Sequence, residues 1–216
     1  MSALVTEVAA GAVAGGTCIL YAAVGESFAE SAGVVNLGVE GSMLVGALAG
    51  YAVTAQAGSP WVGLLGAALG GGLLAGIHAW FVLNRRSNQL ATGLVVMFLG
   101  LGLTSLYGAA YVSRTIDAFA TWDVPGLSAV PFLGEVLFQH DPLTYLSYLL
   151  VPVAWWVLYR SRWGLLIRGA GERREVLETY GHPARRVQQP ALPVGADVSG
   201  ADPRDPGQLV QTVLSQ

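Results

Sequence analysis

Few side chains in the first part of this chain could carry out chemistry, and its carboxylates are the clearest candidates. Before Asn84 the only charged side chains are four glutamates, Glu7, Glu26, Glu30 and Glu40. Glu30 and Glu40 flank a stretch that is too apolar for an ordinary loop and too rich in glycine for a continuous helix. Carboxylates at membrane depth typically line an ion or substrate path. The alternative is that both lie in water at the membrane border and cap helices, and the sequence leaves both interpretations open.

Other polar residues suggest hydrolysis or proton coupling. His78 is the only histidine within an apolar segment, and Ser27 or Ser42 would have to reach it to form a nucleophile–base pair. Neither G-x-S-x-G nor H-E-x-x-H occurs, so we interpret His78 as a polar packing residue. An ion-coupled secondary transporter could use Glu30, Glu40 and His78. The internal repeats that favour such carriers are not evident.

The composition indicates that lipid surrounds most of the chain. Hydrophobic residues make up 53% and charged residues 12%, with a mean hydropathy of +0.54, whereas soluble proteins carry about 25% charged residues. With 11 basic and 14 acidic residues, no nucleic-acid partner is expected. Cys18 is a lone cysteine, so it can build neither a disulfide framework nor a cysteine metal site. We expect an all-α, multi-pass transmembrane helical bundle in a bacterial plasma (inner) membrane.

Five apolar segments approach the length of about 20 residues that a membrane-spanning helix needs. They cover residues 3–24, 42–57, 60–83, 90–110 and 142–159, and the second and fifth are short. The first is too long for a signal peptide and has no basic residues before it. Residues 25–41 are predicted to form a broken or re-entrant segment, which is tolerated only inside protein or beside water.

The arginines orient these spans. Arg85 and Arg86 follow the third span, and seven arginines follow the fifth: Arg160, Arg162, Arg168, Arg173, Arg174, Arg185 and Arg186. Two spans separate the clusters, so both fall on one side of the membrane. The positive-inside rule makes that side cytoplasmic.

Glycine pairs with G-x-x-x-G spacing recur in the predicted spans. Small residues at this spacing let helices approach closely in lipid, although 29 glycines would also produce such pairs by chance. We predict packing roles for four pairs, Gly11 and Gly15, Gly46 and Gly50, Gly66 and Gly70, and Gly72 and Gly76.

The broken segment also carries the most specific motif. Residues 30–41 read ESAGVVNLGVEG and residues 43–47 read MLVGA. This run resembles the signature of ABC-importer permeases for nucleosides and simple sugars, of the basic membrane protein type. These belong to the branched-chain amino acid and simple sugar permease superfamily. Further matches follow in order over residues 3–187, namely GSPW at 58–61, NQLATG at 88–93, GLGLTS at 100–105 and RWGLLIRGAGE at 162–172.

The resemblance implies a function and partners. The chain would be a permease subunit that forms part of the translocation path for a nucleoside or simple sugar. Its partners would be an ABC ATP-binding subunit, a second permease subunit and an extracytoplasmic substrate-binding protein. ATP hydrolysis would take place on the separate ATP-binding subunit, so this chain would be no enzyme and would need no cofactor.

The same resemblance implies two sets of site residues. The cytoplasmic segment that couples to the ATP-binding subunit would include Arg168, Gly171, Glu172, Arg173, Glu175 and Gly181. The translocation path would include Glu30, Asn36, Gly38, Glu40 and Gly41. Within the coupling segment, residues 172–180 are predicted to form a short helix that Gly181 ends. The alternative is a solvated basic loop that only anchors the topology.

The coupling segment departs from the family pattern at three places. Arg173-Arg174 stands where the family usually has Asn-Pro, and Val176-Leu177 stands where it has two alanines. His182 replaces an apolar residue.

The last part of the sequence has a different character. Residues 188–216 are polar and rich in proline, which predicts a disordered tail. We therefore divide the chain into a transmembrane permease region (1–159), a coupling segment (160–187) and this tail (188–216). Because the family continues with further spans, we expect a frameshift near Gln188 or a truncated gene, so that the chain would lack the later spans that complete the path. The alternative is a genuine short form with a regulatory tail. A non-functional fragment of a permease is an alternative to the permease subunit described above.

Two measurements test the predicted topology. After cell lysis the protein should sediment with the membrane fraction. Cysteines introduced at Arg85 and Arg168 should react with an impermeant thiol reagent from the same side of the membrane, because both arginine clusters follow the positive-inside rule. Labelling from opposite sides would contradict the span count.

Overall fold

A computed structural model describes residues 2–111, 119–123 and 133–191. In these ranges the helices are α1 (Ser2–Ser31), α2 (Val39–Ala57), α3 (Pro60–Arg85), α4 (Gln89–Gly108), α5 (Leu133–Leu137), α6 (Pro142–Arg160), α7 (Arg162–Glu172), α8 (Arg174–Thr179) and α9 (Ala184–Ala191). A 3-10 turn (Ala109–Tyr111) extends α4. Two short strands, β1 (Trp122–Asp123) and β2 (Gln139–His140), pair antiparallel beside α5. The predicted all-α helical bundle is confirmed.

Four helical stretches are long and apolar enough to cross a membrane. They are Leu4–Ser31, Pro60–Arg85, Gln89–Tyr111 and Pro142–Arg160, which correspond to the first, third, fourth and fifth predicted spans. The second predicted span, α2, does not qualify, because polar residues such as Glu40 and Gln56 dilute its apolar character. It is instead a largely enclosed helix that packs against both α3 and α4.

The broken segment is shorter than predicted. Residues 25–31 continue α1 as regular helix, so irregular backbone is confined to residues 32–38. Helix propensity is a weak local preference that tertiary packing overrides, and Gly25 is buried within the bundle. The glycine therefore does not end the helix.

Small residues hold α2 against α3. A Cβ atom added at Gly50 would lie 2.9 Å from the Cβ of Ala67, and one added at Gly70 would lie 2.6 Å from the Cβ of Ala49. A Cβ atom at Gly66 would similarly lie 2.7 Å from Val53 Cγ2. The predicted packing roles of the Gly46–Gly50 and Gly66–Gly70 pairs are therefore confirmed.

For Gly11, Gly15 and Gly76 the described residues show no such contact, so the packing of these glycines stays a prediction. Cβ atoms added at Gly11, Gly15 or Gly76 would meet no atom of the described chain within 4 Å. Spacing alone identifies a smooth helix face and cannot say which face meets another helix. Only the arrangement of the neighbouring helices decides that.

The opposite face of α3 is suited to lipid. Leu65, Leu69 and Leu73 recur at four-residue spacing and are 65–70% exposed, whereas Ala67 and Leu74 on the other side are buried. A helix in water would not expose such a stripe, since large exposed apolar patches are rare on soluble proteins. The segregation agrees with the membrane environment predicted from composition.

Both arginine clusters lie at one end of the bundle. Arg86, after α3, and Arg174, in α8, line the same small cavity. This agrees with the topology expected from the span count.

The boundary of the predicted disordered tail is also corrected. Helix α9 ends at Ala191, so residues 188–191 are helical rather than disordered, and Gln188 is buried. The remainder of that tail, 192–216, lies outside the described residues.

Helix α2 approaches α4 as closely as backbones can. A Cβ atom added at Gly100 would lie 2.5 Å from the Cα of Gly41, and one added at Gly41 would lie 2.7 Å from the Cα of Met97. Neither position can accept a side chain unless the helices separate.

This contact gives a stability prediction. Gly100→Val should force α2 from α4 and lower the free energy of unfolding by about 1–3 kcal/mol or more, the usual cost of overpacking. The control is Gly102→Val on the same helix, where an added Cβ would meet no described residue within 4 Å. Thermal unfolding in detergent should show a lower midpoint for the first variant only, and equal midpoints would contradict the α2–α4 contact.

Candidate coupling and translocation site

Residues 32–38 begin with a turn that ends α1. Gly33 has φ +78°, and its N–H donates to the carbonyl of Glu30 at 2.8 Å. The Val34 N–H donates to the Ala29 carbonyl at 3.0 Å. A glycine in the left-handed conformation is the usual way to end a helix, because it carries no Cβ to strain.

Side chains bind the backbone beyond this turn. The N–H of Val35 donates to Gln89 Oε1 at 2.9 Å, and the N–H of Asn36 donates to Glu26 Oε1 at 3.0 Å. The Asn36 side chain, on a residue only 5% exposed, accepts from the N–H of Gly38 at 3.0 Å. Irregular backbone in a membrane protein persists only when such partners satisfy it. Residues from α1 and α4 thus fix the shape of this segment.

The predicted translocation residues separate into two groups. Asn36, Gly38 and Gly41 are buried together where the segment and α2 meet α4, and a Cβ atom at Gly38 would lie 2.8 Å from Val96 Cγ1. Glu30 and Glu40 are exposed, and Glu40 lies in the first turn of α2, where a carboxylate favours the helix dipole. This placement agrees with the membrane-border interpretation of the two glutamates.

His78 has the packing position predicted for it. Its ring is fully buried in α3 and lies near the backbone of Val35, without a hydrogen bond of good geometry among the described residues. It therefore lies against the irregular segment from the α3 side.

The coupling segment starts at a tight turn between α6 and α7. Ser161 Oγ accepts from the N–H of Gly164 at 3.0 Å and caps α7. Ile167 and Ala170 of α7 then pack into an apolar cluster that also contains Ala32, Leu158, Ala184 and Val187. This cluster joins α7 and α9 to the end of α1.

Two contacts fasten the coupling segment to the irregular segment. A Cβ atom added at Gly171 would lie 2.5 Å from the Ser31 carbonyl and 2.8 Å from the Gly33 nitrogen. Gln188 Nε2 in α9 donates to the Ala32 carbonyl at 2.8 Å, and Gln188 is 5% exposed. The backbones of α7 and residues 31–33 are therefore in direct contact.

The predicted coupling helix exists but is shorter than 172–180. Arg173, with φ −141° and ψ 68°, separates α7 from α8, so Glu172 ends one helix and Arg174 begins the next. Gly181 ends α8 in the left-handed conformation, φ +81°, and its N–H donates to the Glu178 carbonyl. The stop signal at Gly181 is confirmed.

An apolar groove of about 500 Å³ lies along α7 and α8. Three of the predicted coupling residues, Arg168, Glu172 and Arg173, line it. Glu175 is exposed in the first turn of α8 and does not line it. Arg168 also stacks over the Tyr159 ring at 5.2 Å. Tyr180, which is 79% exposed, and Val176 extend the groove as an apolar outer face.

Sequence reasoning missed three residues that hold this site together, Glu26, Gln89 and Gln188. In the sequence Glu26 is one of four glutamates before Asn84, Gln89 is one residue of the NQLATG motif, and Gln188 begins the predicted disordered tail. Each bonds to backbone of the irregular segment from 10, 54 or 156 residues away in the chain. A carboxylate in the mostly apolar stretch before Asn84 was the one available signal, and Glu26 shared it with Glu7, Glu30 and Glu40.

Comparisons with known proteins agree with this architecture. Residues 8–194 match the family described as branched-chain amino acid transport system, permease component, so the match extends past the predicted end of the resemblance at Val187. A putative glucose ABC transporter permease of Haloferax volcanii is 40% identical over 189 residues, 86% of this chain and 57% of the relative. No solved structure matches the chain.

Two further relatives share shorter stretches. A nucleoside ABC transporter permease of Lactococcus lactis is 36% identical over 61 residues, 28% of this chain and 19% of that protein. A guanosine ABC transporter permease of Bacillus subtilis is 32% identical over 96 residues, 44% of this chain and 29% of that protein. The chain spans little more than half the length even of the Haloferax relative. It belongs to the family of branched-chain amino acid transport system permease components, which are multi-pass membrane proteins of ABC transporters.

Proposed function

We propose that this chain acts as a permease subunit of an ABC importer and forms part of the membrane path for a simple sugar or a nucleoside. Family membership supports the transport role, and the names of the relatives support the two substrate classes. The partners in this proposal are an ATP-binding subunit, a second permease subunit and an extracytoplasmic substrate-binding protein. ATP is hydrolysed on the ATP-binding subunit.

One observation carries the proposal, namely the attachment of the coupling segment to the irregular segment. The contact between Gly171 and Gly33 and the hydrogen bond from Gln188 to Ala32 join the cytoplasmic helices to residues 32–38. A solvated loop that only anchors the topology would need neither contact. Rigid, packed contacts of this kind transmit small displacements between elements.

In this proposal a displacement of the coupling segment passes to the spans through packed contacts. A displacement of α8 reaches α7, then the turn at Gly33, and then α2 through Asn36, Gly38 and Gly41. Because α2 packs on both α3 and α4, a shift of its first turn changes the arrangement of the spans. In this proposal the inner end of the path includes Asn36, Gly38 and Gly41, with the exposed Glu30 and Glu40 at its mouth.

The ATP-binding subunit would contact the outer face of α8. Val176 and Tyr180 are four residues apart, hence on one helix face, and both are exposed. The ion pair between Arg174 and Glu178, 3.1 Å long, occupies another face. An exposed apolar pair beside an apolar groove is typical of a protein contact rather than of a solvated helix.

The variant Gly171→Val separates transmission of movement to the spans from binding of the ATP-binding subunit. The added side chain would collide with residues 31–33, so the ATP-binding subunit should still copurify while substrate uptake per ATP hydrolysed falls roughly tenfold, as a distortion costing more than 1 kcal/mol implies. The control is Gly169→Val, since an added Cβ there meets only the tip of Leu177 at 3.6 Å. Unchanged coupling in the Gly171 variant would refute the transmission route.

Docking is tested by Tyr180→Glu. A carboxylate in the apolar contact should reduce copurification of the ATP-binding subunit by roughly tenfold or more, because hot-spot aromatic residues contribute about 2 kcal/mol or more to binding. Glu178→Gln is the control, since it removes only an exposed ion pair worth about 0.2–1 kcal/mol. Substrate uptake that persists without any ATP-binding subunit would instead support a secondary transporter.

A further inference from the structure

A second cavity, separate from the apolar groove, lies at the arginine-rich end of the bundle. Its volume is about 250 Å³, and it lies where the ends of α1 and α3 meet the starts of α4 and α8 and one turn of α9. The proposed transport mechanism gives it no role. Its polar side chains are Arg86, Ser87, Gln89, Arg174 and Gln188.

Most of these side chains present hydrogen-bond donors. Arg86 forms no ion pair with any described residue, and Arg174 uses only its Nε atom to bind Glu178. Gln89 accepts from Val35 through its oxygen, which leaves its amide N–H groups available. Two guanidinium groups with one carboxylate partner leave a net positive charge, so the cavity is suited to an anion.

Gln188 contributes a buried acceptor with no partner. Its Nε2 donates to the Ala32 carbonyl, and this bond fixes the orientation of the amide. The Oε1 atom is then buried without a hydrogen bond among the described residues, on a residue that is 5% exposed. A buried acceptor without a donor is costly. A ligand that fits must therefore bring a donor as well as a negative charge.

Arg86 lines this cavity from the end of α3. Arg86 ends α3 in the left-handed conformation, φ 53° and ψ 34°, which is rare for a residue other than glycine. Its neighbour Arg85 takes a different direction and stacks over Trp80, 5.1 Å from the ring centre, on the exposed side of α3. Trp80 is typical of the headgroup level of a bilayer, so the cavity lies near that level.

We propose that this cavity binds a phosphate group that carries a neighbouring hydroxyl, as in the headgroup of phosphatidylglycerol. The phosphate oxygens would accept from Arg86 and Arg174, a geometry that guanidinium groups favour. The hydroxyl would donate to Gln188 Oε1. A bilayer lipid and a soluble glycerol phosphate share this chemistry, and the position near the headgroup level favours the lipid.

The experiment uses the purified full chain in nanodiscs. Native mass spectrometry should find one retained phosphatidylglycerol, and the thermal midpoint should be higher in phosphatidylglycerol than in phosphatidylcholine. Arg86→Gln should weaken lipid retention about tenfold, as expected for one lost charged hydrogen bond. Arg85→Gln should leave it unchanged. Arg86→Gly, which suits the positive φ, keeps the test valid if Arg86→Gln fails to fold.

Two comparisons test whether the bound phosphate belongs to a lipid or to a soluble ligand, and whether its hydroxyl contributes to binding. Stabilisation by soluble glycerol phosphate in phosphatidylcholine discs, lost in Arg86→Gln, would support the phosphate site with a soluble ligand. Phosphatidylmethanol, which has the charge but no hydroxyl, should be retained less than phosphatidylglycerol, and equal retention would overturn the role of Gln188. If Arg85→Gln and Arg86→Gln weakened phosphatidylglycerol retention equally, the proposed site would be overturned. The retention would then come from general attraction between the arginine-rich surface and anionic lipid. Absence of any preference for phosphatidylglycerol or response to glycerol phosphate would overturn the proposed site as well.

Discussion

Backbone amides without helical partners are the constraint on which this structure depends. Residues 32–38 leave the helix near a membrane surface, where an N–H group that lacks both water and a protein acceptor is costly. Glu26, Asn36 and Gln89 supply the missing acceptors, and Gln188 supplies a donor for the Ala32 carbonyl. These bonds draw α1, α4 and α9 onto one short segment, so its conformation cannot change without moving several helices.

Close packing provides the second half of this arrangement. Glycines at positions 33, 41, 100 and 171 let backbones touch where any side chain would separate them. Dense contacts are stiff, whereas a looser arrangement would absorb a displacement before it reached the spans. The combination of satisfied amides and touching backbones suits the proposed role, in which the movement of an ATP-binding subunit would change the arrangement of the membrane helices.

The residues that depart from the family pattern have identifiable contacts in the structure. Where the family usually has Asn-Pro, Arg173 separates α7 from α8 and Arg174 both lines the polar cavity and pairs with Glu178. Val176 and Leu177 stand where the family has small residues, so α8 is more apolar here. The Val176 side chain is exposed, whereas Leu177 packs against the apolar cluster that contains Ile167 and Ala170. These residues thus contribute to the polar cavity, to the exposed apolar face of α8 and to the apolar cluster beneath it.

The sequence alone determined those features that arise from local physics. The length of the apolar segments identified four of the spans, and the positions of the arginines placed both arginine clusters at one end of the bundle. Gly181 identified the end of α8. These features follow from hydropathy, charge and the conformational freedom of glycine, which act on neighbouring residues. The tertiary structure decided the rest. Gln188 belongs to a polar, proline-rich stretch yet is buried against Ala32. Gly11 and Gly15 have the spacing of a helix contact, yet a Cβ atom added at either would meet no atom of the described residues within 4 Å. Burial and hydrogen bonds between residues far apart in the chain depend on which helices come together, and no local pattern contains that information.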